Sequence, residues 1–130
     1  MNLNQVTIPS VDIEKAISFY QKLGLKLIVH SNDHYARFEC PKGNATFSIH
    51  KVESLPSGSG AVVYFENEKL DEQVGNLVKE GIQFDEMPND KSWLWREARL
   101  KDPDGNQLIL YYAGDNRHYP PWRLDSQVKP

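Results

Sequence analysis

Cysteine is almost absent from this 130-residue chain. Cys40 stands alone, so no intrachain disulfide can form, and a reducing cytoplasm is the expected compartment. Long apolar runs are missing as well. The opening Met1-Asn2-Leu3-Asn4-Gln5 carries no basic segment, and no signal peptide or membrane span is expected. Positive charge is in deficit, with a net charge of −3. No basic stripe is available to neutralise phosphates, so nucleic acid is not expected as a partner. The common catalytic signatures fail too. There is no Gly-x-Ser-x-Gly elbow, no phosphate loop, no Cys-x-x-Cys pair and no His-Glu-x-x-His. Gly58-Ser59-Gly60 lacks a third glycine and a following helix, and reads as linker. Asn44-Ala45-Thr46 is formally a glycosylation sequon, but in a cytoplasmic protein it is a chance match.

What is present is a turn that occurs twice. Asp102-Pro103-Asp104-Gly105-Asn106 runs directly into Gln107-Leu108-Ile109-Leu110-Tyr111. Proline presets φ and glycine accepts a positive φ, so this is a tight reversal into a strand. Pro41-Lys42-Gly43-Asn44 leads into Ala45–His50 in the same manner.

The repeat extends through the chain. Val6–Ile8 alternates as a half-buried strand, and Asp12 can cap the following helix. Ile13, Ala16, Ile17, Tyr20 and Leu23 recur at helical spacing up to Gly24, a C-terminal stop. Leu25–Val29, Tyr35–Cys40 and Ala45–His50 then read as strands. In the second copy Val62–Phe65 is a strand, and Leu70, Val74, Leu77 and Val78 line a helix ending at Gly81. Ile82–Phe84, Glu97–Lys101 and Gln107–Tyr112 complete it. The fold class is therefore α+β, two tandem βαβββ modules. Boundaries fall at 3–52 for module one, 53–60 for the linker, 61–113 for module two and 114–130 for an extended tail, all in one domain. The helix stops lie 57 residues apart and the turn glycines 62. The five extra residues are assigned to an added loop at Asp85–Trp93.

Gln5-Val6-Thr7-Ile8-Pro9, the helix with Ser18-Phe19-Tyr20 and Leu23-Gly24-Leu25, and the Asp-Pro-Asp-Gly-Asn turn together resemble the vicinal oxygen chelate superfamily. Glyoxalase I, bleomycin-resistance proteins, extradiol dioxygenases and fosfomycin-resistance proteins belong to it. The resemblance spans residues 3 to 112. It implies curved sheets enclosing a cavity, built within one chain or across two. It also implies a divalent metal held from the first and last strand of each module, acting as a Lewis acid. Carried over, the ligand positions fall on Gln5, Val62, Ile109 and Ser48, or Phe47 if the two final turns align without a gap. Strand alternation favours Ser48. Valine and isoleucine offer no donor and serine is a poor one. The expectation is no metal and no cofactor.

Alternation sends Val6, Ile8, Phe47, Ile49, Val63, Phe65, Leu108 and Leu110 toward the helices. The opposite face takes Gln5, Thr7, Ser48, His50, Val62, Tyr64, Glu66, Ile109 and Tyr111, with Arg37, Glu39, Glu97 and Arg99. His50 and Glu66 are the candidate acid–base pair. Their plainer reading is a strand-end histidine and a carboxylate paired with an arginine. Trp93-Leu94-Trp95-Arg96 could clamp an aromatic or anionic ligand, or simply cover a sheet edge. The Arg37, Glu39, Glu97 and Arg99 alternations read as structural ion pairs. The tail, with Tyr119, Pro120, Pro121 and Trp122, straps across the domain or a partner, or acts as a lid.

The favoured reading is a cytoplasmic homodimer of glyoxalase and bleomycin-resistance type. It binds a small organic molecule in an apolar, Trp-lined cavity without the family metal. Catalytic candidates are His50 and Glu66; ligand-binding candidates are Gln5, Ser48, Tyr64, Trp93, Arg96, Ile109 and Tyr111. The competing reading is a lyase, isomerase or dioxygenase using a displaced metal at Gln5, His50 and Glu66, or acid–base chemistry by His50 and Glu66. A degenerate interaction protein is the third.

Overall fold

A computed structural model describes residues 1–124. In chain order the elements are β1 (Gln5–Ser10), α1 (Ile13–Lys22), β2 (Lys26–Ser31), β3 (Tyr35–Glu39) and β4 (Thr46–Lys51). Then follow β5 (Val62–Glu66), α2 (Leu70–Lys79), β6 (Glu86–Asp90), β7 (Arg96–Lys101) and β8 (Gln107–Tyr112), with a 3-10 turn at Gly114–Asn116. Two four-stranded mixed sheets result, ordered β1-β4-β3-β2 and β5-β8-β7-β6. The α+β plan of two βαβββ modules is thus realised.

Contacts divide the chain into two compact units. The first takes Met1–Ala61 together with Lys101–Gln107; the second takes Val62–Leu100 and the described residues from Leu108 to Leu124. The Asp-Pro-Asp-Gly-Asn turn therefore folds into the first unit, although its flanking strands belong to the second sheet.

In the first unit β1 runs parallel to β4, while β4–β3 and β3–β2 are antiparallel. Asp12 caps α1 by accepting from the Lys15 amide at 3.2 Å. At the other end Gly24 takes φ +101°, and the Leu25 amide returns to the Tyr20 carbonyl at 3.1 Å. A side chain would strain that left-handed stop. Between these signals Ile13, Ala16, Ile17, Phe19 and Tyr20 are buried. Tyr20 sits among rings, with centroids 5.2 Å from Phe19, 5.8 Å from Phe38 and 4.7 Å from Phe47. Each such buried side chain is worth ~1.5–3 kcal/mol, so this cluster is the principal core of the unit. Phe47 is 2% exposed on the helix side, which assigns the opposite face to Ser48. Val6, expected beneath the helix, is 36% exposed near the start of an edge strand.

The turn completes this unit with polar contacts. Asp102 accepts hydrogen bonds from the Tyr20 hydroxyl at 2.7 Å and from the Asp104 and Asn106 amides, both at 2.9 Å. Asp104 accepts from the Val11 amide at 2.8 Å, and the Asn106 side chain donates to the Pro9 carbonyl at 3.0 Å. Gly105 adopts φ +85°, as the reversal requires.

In the second unit Leu70, Val74 and Leu77 of α2 are buried, as are Ala98, Leu100, Leu108 and Leu110. Val78, expected on that stripe, is 45% exposed. The module's second strand is also displaced from its expected place. Residues 82–84 are irregular, and β6 forms within the segment expected as an added loop. Four residues, 82–85, precede β6 where one, Leu25, precedes β2; five, 91–95, form the next turn where three, 32–34, do so in module one. The extra length is shared between two connections. β6 evaded the reading because Met-Pro-Asn-Asp has poor strand chemistry. Pro88 is tolerated because β6 is an edge strand whose register shifts between Glu86 and Asn89.

Candidate functional site

The face of the first sheet turned from α1 is polar, and register builds it row by row. Lys26, Glu39, Thr46 and Gln5 align in one row; Val29, Arg37, Ser48 and Thr7 in the next; Ser31, Tyr35, His50 and Pro9 in the third. The Gln5 side-chain carbonyl accepts from the Thr46 hydroxyl, and its amide donates to Ser48 and, at 3.3 Å, to Thr7. Ser48 and Thr7 hydroxyls lie 2.7 Å apart. Ser48 is wholly buried. Arg37 Nε donates to the Tyr35 hydroxyl at 2.8 Å. Desolvation pushes the Tyr35 phenol up, but hydrogen bonds from Ser48 and Arg37 and the guanidinium charge outweigh it, leaving the phenol below its ordinary value. His50 is exposed at the end of β4, opposite Tyr35.

Aromatic rings dominate the corresponding face of the second unit. Trp95 stacks on Tyr111 at 4.8 Å and 19°, and Tyr64 meets both edge-on at 5.9 and 5.5 Å. Ile109, Tyr111 and Ala113 form a buried cluster with Trp95 packed on it. Burial raises the Tyr111 phenol, helped by the Glu66 charge. Glu66 accepts from the Ala113 and Gly114 amides at 2.9 and 3.1 Å and faces Arg117 at 3.9 Å. The Trp95 indole donates to the Asn116 carbonyl at 3.3 Å. The start of the tail is thereby fastened over this cluster. Residues 118–123 fold on themselves, with Arg123 over the Tyr119 ring at 4.5 Å.

The tryptophan–arginine group separates. Trp93 donates to the buried Glu97 carboxylate at 2.7 Å, and Glu97 also faces Arg99 at 3.5 Å. Arg96 points elsewhere, gripping both Asp71 oxygens at 2.9 and 3.0 Å and reaching Asp90 at 3.1 Å. Those bonds raise its already high pKa. The expected ion-pair pattern holds for Glu97 and Arg99. It does not hold for Arg37 and Glu39: Arg37 bonds Tyr35, and Glu39 meets Lys26 at 3.9 Å.

Sequence reasoning passed over Trp95 as an individual site residue, and Tyr35 entirely. Trp95 was legible through its alternation with Glu97 and Arg99. Tyr35 needed the register that sets it across from His50. Lys91 and Glu86, ion-paired beside Arg99, were also missed because they lie in the misread β6 segment.

The four metal-ligand positions do not make a donor set. Gln5 is hydrogen-bonded through both ends of its amide, Ser48 is buried, Val62 is 43% exposed and Ile109 is 1% exposed. Among the described residues no three His, Cys, Asp or Glu side chains gather where they could hold an ion.

A family model for the Glyoxalase/Bleomycin resistance protein/Dioxygenase superfamily matches residues 2–110. The chain belongs to this superfamily. Among solved structures it is similar to a glyoxalase/bleomycin resistance protein/dioxygenase from Nocardioides, at 23% identity and TM-score 0.73, covering 95% of this chain and 89% of that one. Lactoylglutathione lyase from Agrobacterium tumefaciens shares 16% identity at TM-score 0.70, over 85% and 92%. TioX from Micromonospora sp. ML1 shares 15% at TM-score 0.70, over 87% and 99%. These likenesses establish the glyoxalase-type fold. No curated protein matches the chain. No helix among the described residues is long and apolar enough to cross a membrane.

Proposed function

We propose that this superfamily member binds a small organic molecule on the sheet faces turned from its helices, without the divalent ion of the metal-dependent members. The observation that carries the reading is Ile109. At the last-strand ligand position it is a 1% exposed hydrocarbon beneath the Trp95–Tyr111 stack, where a carboxylate would be needed. In the second unit Tyr64 and Tyr111, with Trp95, offer rings for stacking. In the first unit Gln5 and Ser48 anchor a hydroxyl-rich face. Each face can bind without making a bond, the second unit's by shape and stacking and the first unit's by hydrogen bonds.

Glu66 supports binding over catalysis in this reading. Both its oxygens face the tail, one on two backbone amides and one toward Arg117, so it serves as an anchor rather than a proton carrier. We read the protein as a cytoplasmic homodimer. Val62, 43% exposed on the edge strand β5, suits burial against a second copy.

Metal analysis of protein purified without chelator tests the metal-free part: zinc, nickel, manganese and iron are expected well below one per chain. Stoichiometric metal that disappears in His50→Ala would overturn it. A thermal-shift screen with thiol-conjugated aldehydes, catechols and aromatic antibiotics tests binding. A ligand at 100 times its Kd adds about 2.7 kcal/mol of stability, and Trp95→Ala is expected to weaken that binding about tenfold. Sedimentation of a strict monomer would reject the dimer.

A further inference from the structure

We propose that the polar face of the first unit carries an oxyanion site, with Arg37 and the Tyr35 hydroxyl as its donors, that takes the carboxylate of a small organic ligand. The inference rests on the small-molecule reading above and names the ligand's charged group.

Arg37 is a half-buried cation in the middle row of that face, flanked along the row by Val29 and Ser48. Among the described residues no carboxylate lies within ion-pair distance of it. Glu39, two residues along the same strand, meets Lys26 instead. A guanidinium held part-way out of bulk water favours a counter-charge. The other titratable groups on the face are Lys26, Glu39, Tyr35 and the exposed His50.

The geometry also pre-orients the donors. Arg37 spends Nε on the Tyr35 oxygen, which fixes the guanidinium plane and leaves the Nη groups to form a fork. That planar fork matches the two oxygens of a carboxylate. Tyr35 accepts from Arg37 Nε, and its hydroxyl proton is available to a ligand oxygen. Ser48 is buried and held by Gln5 and Thr7, so it acts as a positioning residue for Tyr35.

Indole-3-acetate and its neutral counterpart indole-3-acetamide, titrated into the full chain and followed by calorimetry and amide NMR shifts, test the site. The acid is expected to bind at least about tenfold more tightly than the amide. In Arg37→Gln the two affinities should become equal through loss of acid binding, with amide binding unchanged. Tyr35→Phe should weaken acid binding several-fold and spare the amide, and Arg37→Lys should restore part of the preference. The ligand-free melting point of each variant monitors its fold. Equal affinities in the parent protein, or an acid preference that survives Arg37→Gln in a folded variant, would overturn the site while leaving small-molecule binding intact. Inorganic phosphate binding as tightly as the acid would overturn its assignment to an organic carboxylate. Failure of both indoles to bind would overturn the site and the binding reading together.

Discussion

At the scale of single residues, the contact between Tyr20 and Asp102 shows how a signature motif acquires its physical role. The Tyr20 hydroxyl donates to a buried carboxylate that also organises the turn, at 2.7 Å. Hydrogen bonds to charged groups contribute about 1.5–3 kcal/mol, so Tyr20→Phe should destabilise by roughly that amount in urea titration. Burial, and then the neighbouring Asp102 charge, raise the Tyr20 phenol far above its ordinary value. A raised folded-state value means the protein keeps a proton that the unfolded chain sheds near pH 10. Stability is therefore full below pH ~10 and falls as pH rises beyond it. Tyr20→Phe should blunt that alkaline loss. Asp102 was legible in sequence as a turn residue, and its offset to Ile109 identified the missing ligand. Its bond to a helix residue 82 positions earlier was not legible, since local patterns carry no long-range distance.

At the scale of elements, α1 and α2 share a length and a glycine stop but differ at their starts. Asp12 caps α1, whereas Lys69 at the head of α2 makes no side-chain cap bond. Lys69→Ser should stabilise the protein by ~0.5–1 kcal/mol, read as a higher urea midpoint with unchanged slope. The helices and most strands were legible because periodicity and stop residues agree there. β6 was not. Its proline and acidic residues argue against a strand, and pairing with β7 overrides them, as in Asn89 opposite Glu97 and Asp90 opposite Arg96. Arg96 likewise looked available for a ligand until β7 placed it beside Asp71 of α2.

At the scale of the whole molecule, the tail and the exchanged turn decide what sequence spacing could not. Glu66 fastens the chain after β8 through two amides. Glu66→Ala should speed hydrogen exchange at Ala113 and Gly114 by about tenfold or more, with little change in the α1 core amides. Unchanged exchange would show that Trp95 and Asn116 hold the tail by themselves.

The chain's order of elements, its superfamily and the hydrocarbon at two metal-ligand positions were determined by sequence alone. These depend on residue identity, local periodicity and counting from glycine stops. Tertiary structure alone decided that Arg37 faces Tyr35 rather than Glu39, that Arg96 turns to Asp71, and that Trp95 rather than Trp93 joins the aromatic stack. The physical reason is that a side chain's partner is set by strand register and sheet order. Both are fixed by packing between segments far apart in sequence.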